Sequence, residues 1–167
     1  MYSLKKILVN KLNGIPLNLF IMNMVFQRVF RIDANCKLSK NYTSRVICPE
    51  KLHLEELSYH SVRSLALSGG CYINASEEIH IGKGTIWSFN VSIISQDHEF
   101  QDFDKAPRVN PIRIGKNCWI GAGAAILPGV ELGDNTIVGA NSVVTRSFVD
   151  GHMIIAGCPA RKLRELA

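Results

Sequence analysis

The phrase Ser95-Gln96-Asp97-His98-Glu99 sets one imidazole between two carboxylates at the edge of a long polar stretch. A neutral imidazole, with an ordinary pKa of about 6.5, takes up a proton near physiological pH and suits general-base work on a weak oxygen nucleophile. Taken alone, a single His at a loop mouth is more often a solvated side chain. Asp97 and Glu99 flank it, but successive strand residues point to opposite faces, so neither is well placed to orient the ring. His80 lies 18 residues before His98. Two imidazoles on one edge would suit a metal site, which needs three protein ligands and an open position. No third His occurs near residue 116, and Ile79 and Ile81 on either side of His80 turn it outward. Arg161, Lys162 and Arg164 offer cations to an anion such as a phosphate, with Arg capable of bidentate contact. Cys36, Cys48, Cys71, Cys118 and Cys158 are odd in number with no CxxC pair, and read as reduced thiols of a cytoplasmic protein.

The elements that must position these groups are written in a period of six. Ile114, Ile120, Ile126, Leu132, Val138 and Val144 follow one another at that spacing, most of them with a small residue next. A helix repeats its apolar positions at three and four residues and a half-buried strand at two. A strict six instead describes a coil of short strands, one per hexad, in which one aliphatic side chain per side enters a shared core. Three hexads make a turn of 18 residues, so Ile114 stacks under Leu132, Ile120 under Val138 and Ile126 under Val144. Small residues fit the crowded corners, where Gly also tolerates positive φ.

The period continues upstream with breaks, through Ile32 and Leu38, Val46 and Leu52, then Leu67, Ile73 and Ile79. After a two-residue slip it resumes in Ile81, Trp87 and Ile93. The stretch from about 99 to 113, polar and holding Pro107 and Pro111, is an excursion from the coil. Its length favours a functional loop. At 167 residues and 47% hydrophobic content, one soluble domain can bury its core without disulfides or metal. The net charge of +5 suits an anionic ligand. There is no basic stripe interleaved with aromatics, so no nucleic-acid partner is expected.

Residues 1–31 carry an apolar run with Leu17, Phe20, Ile21 and Met24 on one helical face. The run is short for a membrane span and holds Asn18 and Asn23. Lys5, Lys6 and Lys11 precede it in the manner of a signal peptide, yet no small-x-small cleavage site follows closely. A helical cap over the open end of the coil is expected, since a solenoid end exposes core. An amphipathic contact with a membrane surface is the alternative. The expected organisation is a cap over 1–31, the repeat coil over 32–149 and a tail over 150–167.

Residues 112–164 resemble the C-terminal half of the hexapeptide-repeat O-acetyltransferases, the group containing galactoside, maltose and polysaccharide-modifying enzymes. The stretches that carry the likeness are IRIGKNCWIGAGAAILPGVELGDNTIVGANSVVT and AGCPARKLREL. It extends from about residue 65 to the end, and is loose before that. The resemblance implies an all-β fold, a left-handed parallel β-helix, assembled as a homotrimer with active sites between neighbours. The reaction it implies moves acetyl from acetyl-CoA to a hydroxyl of a sugar or surface-polysaccharide precursor, with no metal. By the same resemblance His98 is the general base and the Ala122 amide the oxyanion donor. Ala122, Ala140 and Thr145 would line the CoA groove, Arg161 and Arg164 would hold its phosphates, and Asn74, Glu77 and Glu78 would meet the acceptor. The chain departs from the family at Val149-Asp150, where a Pro pair is usual, and by one extra residue before Gly157. The segment from Leu52 to Leu67, with two His and several acids, has no assigned place. Two rivals stand beside this reading. One is a metal lyase of the γ-carbonic anhydrase kind built on His80. The other is a scaffold without activity, against which AGCPAR argues.

Overall fold

A computed structural model describes residues 14–99, 101–102 and 110–166. Its strands are two to six residues long and stack in three sheets, the sides of a triangular coil. Sheet A contains β1 (Arg45–Ile47), β3 (Tyr72–Asn74), β6 (Ser92–Ile94), β9 (Ala125–Ile126) and β12 (Val143–Val144). Sheet B contains β2 (Leu52–Leu54), β4 (Ile79–Ile81), β7 (Ile112–Ile114) and β10 (Glu131–Leu132). Sheet C contains β5 (Ile86–Trp87), β8 (Trp119–Ile120), β11 (Ile137–Val138), β13 (Met153–Gly157) and β14 (Ala160–Glu165). All pairings are parallel except the closing β13–β14 hairpin.

The expected stacking is observed. Leu132 pairs with Ile114, Val138 with Ile120 and Val144 with Ile126. One side chain per side fills the interior, with Ile73, Ile93 and Ile126 of sheet A and Ile120 of sheet C fully buried. Each such burial contributes about 1.5–3 kcal/mol over an exposed position. The small residue after each aliphatic is a packing demand. A Cβ on Gly82 would stand 2.5 Å from the Gly115 carbonyl carbon one rung above, and one on Gly121 would stand 2.6 Å from the Ala140 amide nitrogen.

Between Ile73 and Val144 the irregularities of the period fall at a single corner. From sheet B to C and from C to A the inward residues are six apart, as in Ile81, Trp87 and Ile93. From A to B the step is 54 − 46 = 8 for Val46 to Leu54 and 81 − 73 = 8 for Ile73 to Ile81. It is 114 − 93 = 21 for Ile93 to Ile114, then 132 − 126 = 6 for Ile126 to Leu132. The two-residue slip and the long excursion are therefore one feature, insertions at the A-to-B corner. Of that excursion Phe100 and residues 103–109 lie outside the described residues.

At the N-terminal end two helices stand where strands would. Helix α1 (Leu17–Met24) runs into a π-helical turn, Val25–Val29. Helix α2 (Tyr59–Leu67) follows β2, packs against β5 and buries Val62, Leu65 and Ala66 in the place of a first sheet C strand. This places the segment that the repeat could not read. The first strand begins at Arg45, so residues 32–44, including Ile32 and Leu38, carry no coil strand. That stretch is held by ion pairs and side-chain bonds. Asp33 lies 3.3 Å from Lys40, which is fully buried, and 3.0 Å from Arg45, while accepting from the Val46 amide at 3.0 Å. At the other end the tail adds a rung, with Met153 and Ile155 in the core and β13 parallel to β11. Among the described residues no helix is long and apolar enough to cross a membrane.

Candidate functional site

The candidate site residues divide between two corners of the coil. The A-to-B corner holds the first group. Asn74 ends β3 and is partly buried; its side-chain oxygen accepts from the Ser76 amide at 3.0 Å and the Ser76 hydroxyl at 2.6 Å, which shapes the turn. Ser95, fully buried one rung above, ties this turn to the outgoing chain. Its hydroxyl lies 2.8 Å from the Asn74 carbonyl oxygen and 2.7 Å from that of Glu77, and accepts from the Glu77 amide at 3.0 Å. Three residues on, His98 is exposed, and its amide donates to Asp97 Oδ1 at 2.8 Å. Asp97 thus spends a carboxylate oxygen on the backbone. The chain returns from the excursion at the same place, where the Ile112 amide donates to the Glu78 carbonyl at 3.0 Å. Asn74, Glu77, Glu78 and His98 are consequently gathered around one excursion.

Glu78 has a partner of its own. Its carboxylate lies 2.9 Å from His80 Nε2, and that hydrogen bond holds its carboxyl below the usual range, with smaller help from the charges of His80, His53 and Arg113. His80 does not stack on His98. Because 15 residues intervene beyond the regular turn (114 − 81 = 33, against 18), its rung neighbours are His53 below and Arg113 above. The His53 and His80 rings stack with centroids 4.8 Å apart and an interplanar angle of 21°. His53, Glu78 and His80 bring three possible ligand atoms within 4.8 Å of one another on the outer face of sheet B. Sequence reasoning missed His53, since the eight-residue step from β1 to β2 hides its register with His80.

The C-to-A corner holds the second group. Ala122 follows β8 and Ala140 follows β11, both exposed, and the Asn141 amide donates to the Ala122 carbonyl at 2.8 Å across the rungs. Among the described residues no acceptor takes the Ala122 N–H, which leaves a backbone donor at the surface. The β13–β14 hairpin, Gly157-Cys158-Pro159-Ala160, closes over the same corner. The Gly139 amide donates to Ile155 O at 2.8 Å and the Gly157 amide to Ser142 Oγ at 3.1 Å. Arg161 is opposite Ala156 beside the hairpin, whereas Arg164 is opposite Ile154, further along sheet C; both are exposed.

Thr145 requires a correction. It follows Val144 at the far end of β12, the rung above Leu127, and so stands on the A-to-B side. The expected continuous column of Ala122, Ala140 and Thr145 within one chain does not exist, because a residue five beyond Ala140 has already crossed sheet A. Burial pushes the Cys36, Cys71 and Cys118 thiols up, which suppresses the reactive thiolate.

The three-sided parallel coil with an excursion after one rung defines a class, and residues 111–146 match the bacterial transferase hexapeptide family (six repeats). The chain is 33% identical to the galactoside O-acetyltransferase of Escherichia coli K12 over 119 residues, covering 57% of this chain and 58% of that protein. A maltose O-acetyltransferase structure from Clostridium difficile 630 shares 32% identity at TM-score 0.54, covering 58% of this chain and 53% of that one. A hexapeptide-repeat acetyltransferase of Vibrio cholerae O1 biovar eltor, complexed with acetyl coenzyme A, shares 25% identity at TM-score 0.51, over 74% and 68% of the two chains. Hexapeptide repeats are thus matched over residues 111–146, and the chain is similar to the galactoside and maltose O-acetyltransferases while spanning somewhat over half the length of those relatives.

Proposed function

We propose that this protein is an acetyl-CoA-dependent O-acetyltransferase acting on a hydroxyl of a sugar or surface-polysaccharide precursor, built as a left-handed β-helix. The observation that carries the reading is the division of the site. His98 stands at the A-to-B corner, and Ala122, Ala140 and Arg161 stand at the C-to-A corner, with sheet A between them. One chain alone offers each half on a different edge. Two copies related by a threefold axis bring the first edge of one against the second edge of the next. In that arrangement Thr145 joins the groove from the copy that supplies His98. The outer face of sheet C supports such an assembly, since Ile86 (39% exposed) and Trp119 (49%) pair with Ile137 and Ile154 in an apolar row.

The chemistry then follows. His98 takes the proton of the acceptor hydroxyl as its oxygen attacks the thioester carbonyl carbon. The tetrahedral oxyanion that forms is met by the Ala122 N–H, a fixed backbone donor of the kind that stabilises developing charge. Collapse breaks the carbon–sulfur bond, and the imidazolium returns the proton to the departing CoA sulfur. Asn74 and Glu77 hold acceptor hydroxyls. Arg161 and Arg164 bind the phosphates of CoA by charge-assisted contact. The test is a panel of sugars and nucleotide-linked sugars incubated with acetyl-CoA and purified protein. Free CoA thiol and an O-acetylated acceptor should appear in equal amounts; no product with any hydroxyl acceptor would overturn the assignment.

A second reading has one observation in its favour. Two His and a carboxylate within ligand reach are a donor set that zinc accepts. The neighbouring Arg113 charge, one rung above His80, works against a cation there. Stoichiometric zinc in the purified protein, with turnover lost on chelation, would move the reaction to the metal lyase class.

A further inference from the structure

Helix α1 is built inside out. Its fully buried residues are polar: Asn23 donates to Ala66 O at 3.1 Å and Ser39 Oγ at 3.2 Å, and accepts from the Tyr42 amide at 3.0 Å. Gln27, one turn on, donates to Leu38 O at 3.0 Å and Cys36 O at 3.3 Å, and accepts from the Lys40 amide at 3.1 Å. These two side chains fasten the helix to the 36–42 segment and to the end of α2. Leu19, Phe20 and Met24, with Val25 and Phe26 of the following turn, are half-buried, but a second set of apolar residues faces the other way. Leu17 is 46% exposed, Ile21 51%, Met22 42%, Val29 70% and Phe30 63%. Ile21 and Asn23 are two residues apart, and so stand about 200° round a helix from one another. A short surface helix that spends polar groups on docking and leaves its apolar stripe outside gains nothing from that stripe in water.

Charge identifies what covers it. Residues 1–32 contain Lys5, Lys6, Lys11, Arg28 and Arg31 and no acidic residue. The remainder holds 19 − 5 = 14 basic and 14 acidic residues, so the whole formal charge of +5 belongs to the segment that carries the apolar stripe. A second copy of the same surface would meet like charge. An anionic bilayer offers both what the stripe lacks and what the cations seek.

We propose that the apolar face of α1, with Val29 and Phe30 beyond it, docks in the plane of an anionic lipid surface as a peripheral anchor. The proposal is independent of the acetyl-transfer reading. It is tested by flotation of the full chain with phosphatidylcholine vesicles and with phosphatidylcholine–phosphatidylglycerol vesicles, at low and high salt. The protein should float with the anionic vesicles and be released by salt, and bind neutral vesicles at least about tenfold more weakly. The Ile21→Glu/Phe30→Glu variant changes only exposed positions, and should keep its circular dichroism and melting temperature while binding anionic vesicles at least about tenfold less. Absence of binding to anionic vesicles overturns the proposal, whether residues 1–13 or a second copy proves to cover the face. So does equal binding by the folded variant.

Discussion

Arg161 and Arg164 differ in where they stand on β14, and that difference has consequences at the residue scale. Arg161 lies opposite Ala156 at the hairpin that caps the Ala122–Ala140 corner, while Arg164 lies further along the strand opposite Ile154. Arg161→Ala should raise KM for acetyl-CoA by about ten- to a hundredfold, the loss of a charge-assisted contact. Arg164→Ala should have the smaller effect, and kcat should move little in either, because the contacts are remote from the thioester. Steady-state kinetics decide the point; an unchanged KM in the folded double variant would place the phosphates elsewhere. Both candidates could be named from the sequence because AGCPAR is a local motif. The pairing of His80 with His53 and Glu78 was not, since it depends on a register between rungs set by corner lengths that the sequence leaves open. Thr145 was misplaced for the same reason, as counting residues along a coil gives the rung but not the edge.

At the scale of elements, the regular hexads from 114 to 144 were readable because each rung repeats the same burial demand. The N-terminal third was not, because there the packing demand is met by helices and polar contacts. Helix α2 fills a strand's place with Val62, Leu65 and Ala66. The 32–44 segment is held by Asp33, which serves Lys40, Arg45 and the Val46 amide together. Lys40 is fully buried and also donates to Ser44 O at 2.7 Å. Removing one partner of a buried pair strands the other charge away from water. Asp33→Asn keeps the shape and should destabilise the fold by about 3–5 kcal/mol in urea unfolding. A cost near zero would mean that Lys40 reaches solvent when its partner is gone.

For the whole molecule, the insertions between sheets A and B at one corner and a regular stack at another give the coil two unlike edges. One gathers Asn74, Glu77 and His98, and the other carries the Ala122 amide and the hairpin with Arg161. Joining the two edges in one site therefore needs a closed ring of copies, and sedimentation velocity should find a trimer at assay concentrations. A fully active monomer would contradict it. The most direct measurement compares His98→Ala with His80→Ala in the CoA-release assay, using whichever acceptor the panel identifies. His98→Ala should lose on the order of 10²–10⁴ in turnover with acetyl-CoA binding retained, as expected when a general base is removed, and His80→Ala should remain within a few-fold of the parent. Equal loss in both variants, restored by zinc, would contradict acetyl transfer through His98.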